Sequence, residues 1–247
     1  MKIETVDTLL SLNQRFYEQF AGAFAQTRRR IQDGVRRALA MLPDEGTWVD
    51  VGCGSGALAQ AWIQAGRTSH YLGLDFSAEL LAEARKLVGM DERVEFRVAN
   101  MGDEHWADGL EKGSFRGVLA FAALHHVPSA ALRLRVLRQV RDLLGPDGWF
   151  VHSEWQFQHS PKLMARRLNW ERAGLSEIDV ESGDTLLDWR FALPGQAEQV
   201  GLRYVHLFSR EELAELAAQS GFEISETYES DGEGGRLGLY QVWKAAG

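Results

Sequence analysis

The stretch Thr47-Trp-Val-Asp-Val-Gly-Cys-Gly-Ser-Gly56 starts as a short apolar, β-branched run, breaks into alternating glycines and gives way at once to the helical pattern of Ala57 to Gln64. A strand that ends in a turn too tight for side chains, with a helix N-terminus directly behind it, makes a site for a nucleotide-type ligand. Gly52, Gly54 and Ala57 satisfy the permissive G-x-G-x-x-G/A spacing, which alone fits nicotinamide and other adenosine ligands equally. Asp50 separates them. A carboxylate two residues before the first glycine repels a pyrophosphate, whereas it suits a ligand that carries an ammonium and a sulfonium.

The composition is that of an ordinary globular protein, with a 45% hydrophobic and a 25% charged share over 247 residues. A single cysteine, Cys53, excludes an internal disulfide framework and leaves no cysteine pair for a zinc site; no metal is expected. The opening residues carry acids and lead into an amphipathic helix, and no apolar run is long enough to span a bilayer, so a cytoplasmic location without a membrane is expected. A formal net charge of -8 argues against non-specific nucleic-acid binding, although a local basic face is compatible with it.

Around the glycine turn the chain alternates strand and helix signals. Residues 5 to 41 predict a helical cap. Strands are expected at Tyr71 to Asp75, Val94 to Val98, Gly117 to Phe121 and Gly148 to Ser153, with helices from Ser77 to Val88 and from about Ser129 to Leu144. Gly145-Pro-Asp-Gly148 reads as a turn between helix and strand. Such alternation predicts an α/β fold with a mainly parallel sheet covered by helices on both faces. From Glu154 the alternation lapses into an insertion, with a helix expected from Ser160-Pro161 to about Arg172. Ser209-Arg-Glu-Glu212 is a capping box, and Phe222 to Tyr228 with Leu237 to Trp243 read as a terminal antiparallel hairpin. The expected organisation is one domain: a cap over 1–43, a ligand-binding core over 44–153, a substrate-side insertion over 154–208, and a final helix and hairpin over 209–247.

Val49-Asp-Val-Gly-Cys-Gly-Ser-Gly56 resembles motif I of the class I S-adenosylmethionine-dependent methyltransferases. The resemblance implies a Rossmann-like, seven-stranded, mainly parallel sheet finished by the antiparallel hairpin, with S-adenosylmethionine as cofactor. It places Asp50 and the turn of Gly52, Cys53, Gly54 and Gly56 against that cofactor. Asp75 ends the second strand about 20 residues past the turn, where an acid accepts hydrogen bonds from ribose hydroxyls; Phe76 follows it. Asn100 and Met101, after the third strand, fall where the family contacts the adenine. Arg116 stands where the family has an aspartate at the start of the fourth strand. At the strand's other end Phe121 and Leu124 are expected to line the methionine part of the cofactor, with His125 at the methyl-transfer site.

Two further segments narrow the likeness. Phe16 to Arg28, and Leu202-Arg-Tyr-Val-His-Leu-Phe208, are similar to segments of the tRNA wobble-uridine carboxymethyl methyltransferases, a family that esterifies a carboxymethyl group and works with a small zinc-containing activating subunit. Arg28 is carried over as a cofactor contact. Alkyl transfer from a sulfonium needs alignment more than covalent help, and a carboxylate acceptor needs no base. Arg203 is then expected to hold the carboxylate, with His125 or His206 to orient it; for a hydroxyl or amine acceptor the same histidines serve as base. The acceptor stands open between a modified tRNA and a small carboxyl or hydroxyl compound. A non-catalytic adenosylmethionine-binding module is the competing class, against which the intact turn and Asp75 both speak. A tRNA substrate would need a concentrated cationic path, drawn from Arg28 to Arg37 with Arg166, Arg167, Arg190 and Arg203.

Overall fold

Trp48 to Val51 are buried on both faces of strand β1 (Thr47–Val51), the centre of the larger sheet. A strand whose Trp48, Val49 and Val51 point to both faces needs cover on both sides, and it carries the Asp50 carboxylate into the interior with it. The computed structural model describes residues 1–27, 30–191 and 198–246, without the side chains of 24–27. Strand β1 pairs in parallel with β2 (His70–Asp75) on one side and with β4 (Phe115–Phe121) on the other. Beyond them lie β3 (Val94–Val98) and β5 (Leu144–Trp155), also parallel, and the last strand β10 (Gly238–Ala245) pairs antiparallel with β5 and with β9 (Phe222–Ser230). The seven-stranded order is β3-β2-β1-β4-β5-β10-β9. The final hairpin therefore folds inward, so that the last strand and not the penultimate one joins the parallel set.

The expected helical cap divides into two helices with different jobs. Helix α1 (Ile3–Thr27) is the cap, whereas α2 (Asp33–Met41) is a layer helix, packing Val35 and Ala38 under the sheet beside Leu58, Ala59 and Trp62 of α3 (Ala57–Gln64). The other face of the sheet is covered by α5 (Ala130–Leu143) and α7 (Arg210–Gln219), through Val136, Leu137, Val140, Leu213 and Leu216. Ser77, Ser129 and Ser209 cap α4 (Ala78–Val88), α5 and α7 as their sequence positions predict. The capping box is half made: the Glu212 N–H donates to Ser209 Oγ at 3.0 Å, but the Glu212 carboxylate turns away to His206 and Arg133. The tetrapeptide Gly145 to Gly148 is an irregular part of β5 itself, with Leu144 already paired to Phe115.

The expected insertion is a second, three-stranded antiparallel sheet in the order β6-β7-β8, made of β6 (Arg167–Leu168), β7 (Asp184–Phe191) and β8 (Gln199–His206). The helix predicted from Ser160 stops after one turn as α6 (Pro161–Met164), because Arg167 and Leu168 are taken into β6 against Leu187 and Leu186. Helix α1 lies on this sheet. A side-chain carbon at Gly201 of β8 would sit within 2.6 Å of the Phe16 and Phe20 rings, so glycine is what lets α1 approach. Phe16 and Phe20 then meet Trp189 at ring distances of 5.7 and 4.9 Å. Among the described residues no helix is long and apolar enough to cross a membrane, and no group of side chains could hold a metal ion.

Candidate active site

Strand order reverses at β1, whose two parallel neighbours β2 and β4 leave in opposite directions, and a crevice opens beyond the carboxyl ends of the three strands. This cleft of about 1050 Å³ is open to solvent on one side. The turn supplies Gly52 and Gly54, β2 ends in Asp75 and Phe76, and the segment after β3 gives Asn100 and Met101. The end of β4 contributes Phe121 to Ala123 and then His125 and His126 from a single 3-10 turn. Trp155 ends β5, Arg203 reaches in from β8, and Leu10, Asn13, Gln14 and Tyr17 of α1 roof the whole.

At the glycine turn the backbone runs through positive φ at Gly52, Gly54 and Gly56. A side chain at Gly52 would come within 2.8 Å of Ala123, whereas one at Gly54 would enter open space in the cleft, the place a ligand would fill. Asp75, only 6% exposed, accepts the Gly54 N–H at 2.9 Å on one oxygen and the Ser77 N–H at 2.9 Å on the other. Burial raises its pKa to about 6 against the pull of those hydrogen bonds. Asn100 uses its side-chain oxygen to accept the Gly102 N–H at 2.9 Å, which sets its amide at the rim.

Asp50, Cys53 and Gly56, expected against the cofactor, lie outside the lining of this cleft. Asp50 and Cys53 line a second depression of about 730 Å³ on the far side of the turn, together with Arg30, Ser153 and Tyr240. Gly52, Gly54, Phe121 and Ala122 border both, so the two depressions meet across the turn. Asp50 accepts a hydrogen bond from the Tyr71 hydroxyl, and burial raises its carboxyl to about 7. Gly56 starts α3, and a side chain there would strike Ala84 at 2.8 Å; its role is helix packing. Ala122 holds φ at 53°, a strained value for alanine, with its N–H donated to Ser153 O at 3.0 Å and Ser153 Oγ at 3.1 Å.

Leu124 points into the core instead of the cleft, at 2% exposure among Val127, Val136 and Leu213. His206 is also withdrawn. It lies three residues from Arg203 on a strand of period two, hence on the opposite face, where Nδ1 is 2.7 Å from Asp184 and Nε2 is 2.9 Å from Glu212. Arg28 lies outside the described residues. Of the paired histidines, His126 is engaged at both nitrogens, Nδ1 with Tyr204 O at 3.0 Å and Nε2 with the Tyr17 hydroxyl at 2.9 Å. His125 faces the cleft beside Trp155, their rings parallel within 6°. The Arg203 guanidinium is 3% exposed and lies 4.6 Å from the Trp155 ring centre and 5.3 Å from that of Phe16.

Residues 23–227 match the methyltransferase domain family. The chain belongs to that family. The methyltransferase is 27% identical over 221 residues to a methyltransferase of Encephalitozoon cuniculi, covering 85% of this chain and 86% of that one. It is 24% identical over 229 residues, 85% and 88% of the two chains, to a Schizosaccharomyces pombe tRNA (carboxymethyluridine(34)-5-O)-methyltransferase. It spans only 22% of the macaque enzyme ALKBH8, which carries the same activity in its name. Its fold is that of a Haloferax volcanii methyltransferase in complex with the Trm112 methyltransferase activator, with a TM-score of 0.65 at 18% identity over 94% of this chain and 97% of that one. S-adenosylmethionine is the cofactor of this methyltransferase. The residues fit it: Asp75 and the open space over Gly54 suit a ribose, and the second depression offers Asp50 to an ammonium and Arg30 to a carboxylate.

Sequence reasoning missed Asn13, Glu154 and Trp155. The signal for Trp155 is its place at the carboxyl end of the fifth strand, where ligands of such sheets gather; Asn13 offers no local signal, since its partner is 191 residues away.

Proposed function

We propose that the methyltransferase esterifies a carboxylate, presented on a modified tRNA as in the relatives named for carboxymethyluridine, with Asp75, the glycine turn, Asp50 and Arg30 holding the cofactor. The observation that carries this reading is Arg203: a guanidinium set in the cleft wall against Phe16 and Trp155 suits a planar anion that forks onto two N–H groups. The cofactor brings a methyl group already on a good leaving group. What this chain must do is align a carboxylate oxygen with that carbon and keep water out. Arg203 binds the acceptor carboxylate, His125 orients it, and Tyr17 with Leu10 closes the roof. In this reading the enzyme works in the cytoplasm, with a small activating subunit.

A second reading, a small carboxylic acid as acceptor, is favoured by how the arginines expected to form a cationic path are engaged. Arg37 pairs with Glu226 at 2.7 Å and Arg190 with Asp188 at 2.8 Å, and Arg203 is buried, which weakens the expected cationic path. Incubating an extract with methyl-labelled cofactor tests both readings. Label released as methanol by mild alkali marks an ester; its presence in the tRNA fraction or in the small-molecule fraction names the acceptor class. Label stable to alkali in every fraction overturns carboxyl methylation.

A further inference from the structure

Beneath His125 lies a buried acid. Glu154, on β5, is 1% exposed and spans two imidazoles: Oε2 is 3.2 Å from His125 Nδ1, and Oε1 is 2.9 Å from His152 Nδ1. His152 is wholly buried, stacked on Phe150 at 4.8 Å and edge-on to Trp243 at 4.7 Å. The Trp155 backbone N–H donates to His125 Nδ1 at 3.4 Å.

These contacts fix where the protons sit. An N–H aimed at Nδ1 requires a lone pair there, because a proton on Nδ1 would face the Trp155 hydrogen donor to donor. The Glu154 oxygen beside the same nitrogen must then bring the hydrogen itself, as an O–H that takes the main share of the single Nδ1 lone pair, with the Trp155 N–H as the longer, minor donor. On the other side, His152 Nε2 is buried with no hydrogen-bond partner, and an orphaned N–H there would cost more than an orphaned lone pair. His152 thus carries its proton on Nδ1 and donates it to Glu154 Oε1. Burial also drives Glu154 well above the ordinary carboxylate range; the His125 backbone N–H and the Arg133 guanidinium oppose it, and Glu212 adds to it. Burial holds His152 neutral, its pKa lowered to about 3.

We propose that Glu154 is a positioning residue for methyl transfer: its carboxylic O–H, kept on the acid and hydrogen-bonded to His125 Nδ1, sets His125 as an Nε2–H donor, so that the cleft selects acceptors that arrive already ionised. The inference rests on the carboxyl-methylation reading for its consequence, though not for its geometry. A carboxylate held by Arg203 accepts a second hydrogen bond from an Nε2–H; a hydroxyl or amine acceptor would need a lone pair at that nitrogen to take its proton. An ionised Glu154 would impose the reverse tautomer and make His125 a base, as in acid-histidine pairs of hydrolases. His126, 4.4 Å from the His125 ring, is occupied at both nitrogens and does not supply that base.

The test is the tautomer itself, read by long-range proton-nitrogen NMR on the full chain labelled in its histidines, with His125 assigned through His125→Gln. The expected spectrum shows Nε2 protonated and Nδ1 bare in the protein without cofactor at neutral pH. Glu154→Gln should keep that tautomer, its amide donating to Nδ1 and its carbonyl accepting from His152, and should keep acceptor KM and kcat within about threefold. Glu154→Met should mix the tautomers and raise the acceptor KM by about tenfold or more with cofactor affinity unchanged. A proton on Nδ1 in the unaltered protein overturns the proposal. So does a folded, cofactor-binding Glu154→Gln enzyme without turnover, the expected loss if an ionised acid were needed. Should Glu154→Met not fold, the unaltered and Gln proteins decide. An Nε2–H tautomer together with an alkali-stable product would leave the positioning of His125 by Glu154 standing and remove the carboxylate reading, and with it the selection of ionised acceptors.

Discussion

The side-chain amide of Asn13 pairs with both backbone polar groups of Tyr204, accepting its N–H at 2.8 Å and donating to its carbonyl at 3.1 Å. One asparagine on α1 thus does for β8 what a neighbouring strand would do. Because β8 is an edge of its sheet and also carries Arg203, the same contact fastens the roof of the cleft to the wall that holds the guanidinium.

Asn13→Ala should therefore leave the buried Tyr204 N–H without its acceptor, and the Tyr204 carbonyl with His126 Nδ1 in place of two donors, and cost roughly 1–3 kcal/mol of stability. Chemical denaturation reads the loss, and calorimetry should show weaker cofactor binding, since Leu10, Gln14 and Tyr17 share the helix. Unchanged values of both would mean that apolar packing of Phe16 and Phe20 alone seats α1.

Arg203→Met keeps a long apolar side chain between Phe16 and Trp155 but removes the fork. Cofactor affinity should hold, while kcat/KM for the carboxylate acceptor should fall by about 100-fold or more, the loss of a charge-assisted pair. A parallel fall in cofactor affinity would move Arg203 to the cofactor shell.

Asp50 trades stability for a charge. Burial raises its pKa from 3.8 to about 7, with the Tyr71 hydroxyl acting against the rise and Asp75 adding to it. The native state then binds a proton more tightly than the unfolded chain, so stability falls as pH rises from about 4 to about 7 and levels off above. Asp50→Asn removes that slope and should be more stable at pH 8 by on the order of 2–4 kcal/mol, with little difference at pH 4. If Asp50 meets the cofactor ammonium, the same variant binds cofactor less well. A pH-independent gap in denaturation midpoints would contradict the assignment.

His206 works in the opposite direction. Burial lowers its pKa, but the hydrogen bonds to Asp184 and Glu212 outweigh burial and leave it raised above 6.5. The stabilisation by its imidazolium is complete below pH 6.5 and is lost as pH rises through the folded value. His206→Gln should thus be destabilised most in mild acid, with the gap in melting temperature narrowing at alkaline pH. A gap that widens with pH would mean that neutral His206 is the stabilising form.

The glycine turn, Asp75, the three serine caps and the alternation of strands with helices were legible because each is written locally, in backbone freedom, side-chain hydrogen bonding and hydrophobic period. The sequence by itself therefore determined the mainly parallel sheet, the glycine turn at the end of its first strand and the kind of cofactor it takes. Tertiary structure decided the rest. Pairing with β7 broke the predicted helix after Met164, and strand alternation sent His206 away from the cleft while Arg203 entered it. The partners of Asn13 and His125 lie 191 and 29 residues away in the chain. No local pattern encodes a hydrogen bond across such a distance; it exists only once the sheets and α1 have closed on one another and the burial of each polar group forces it to find a partner.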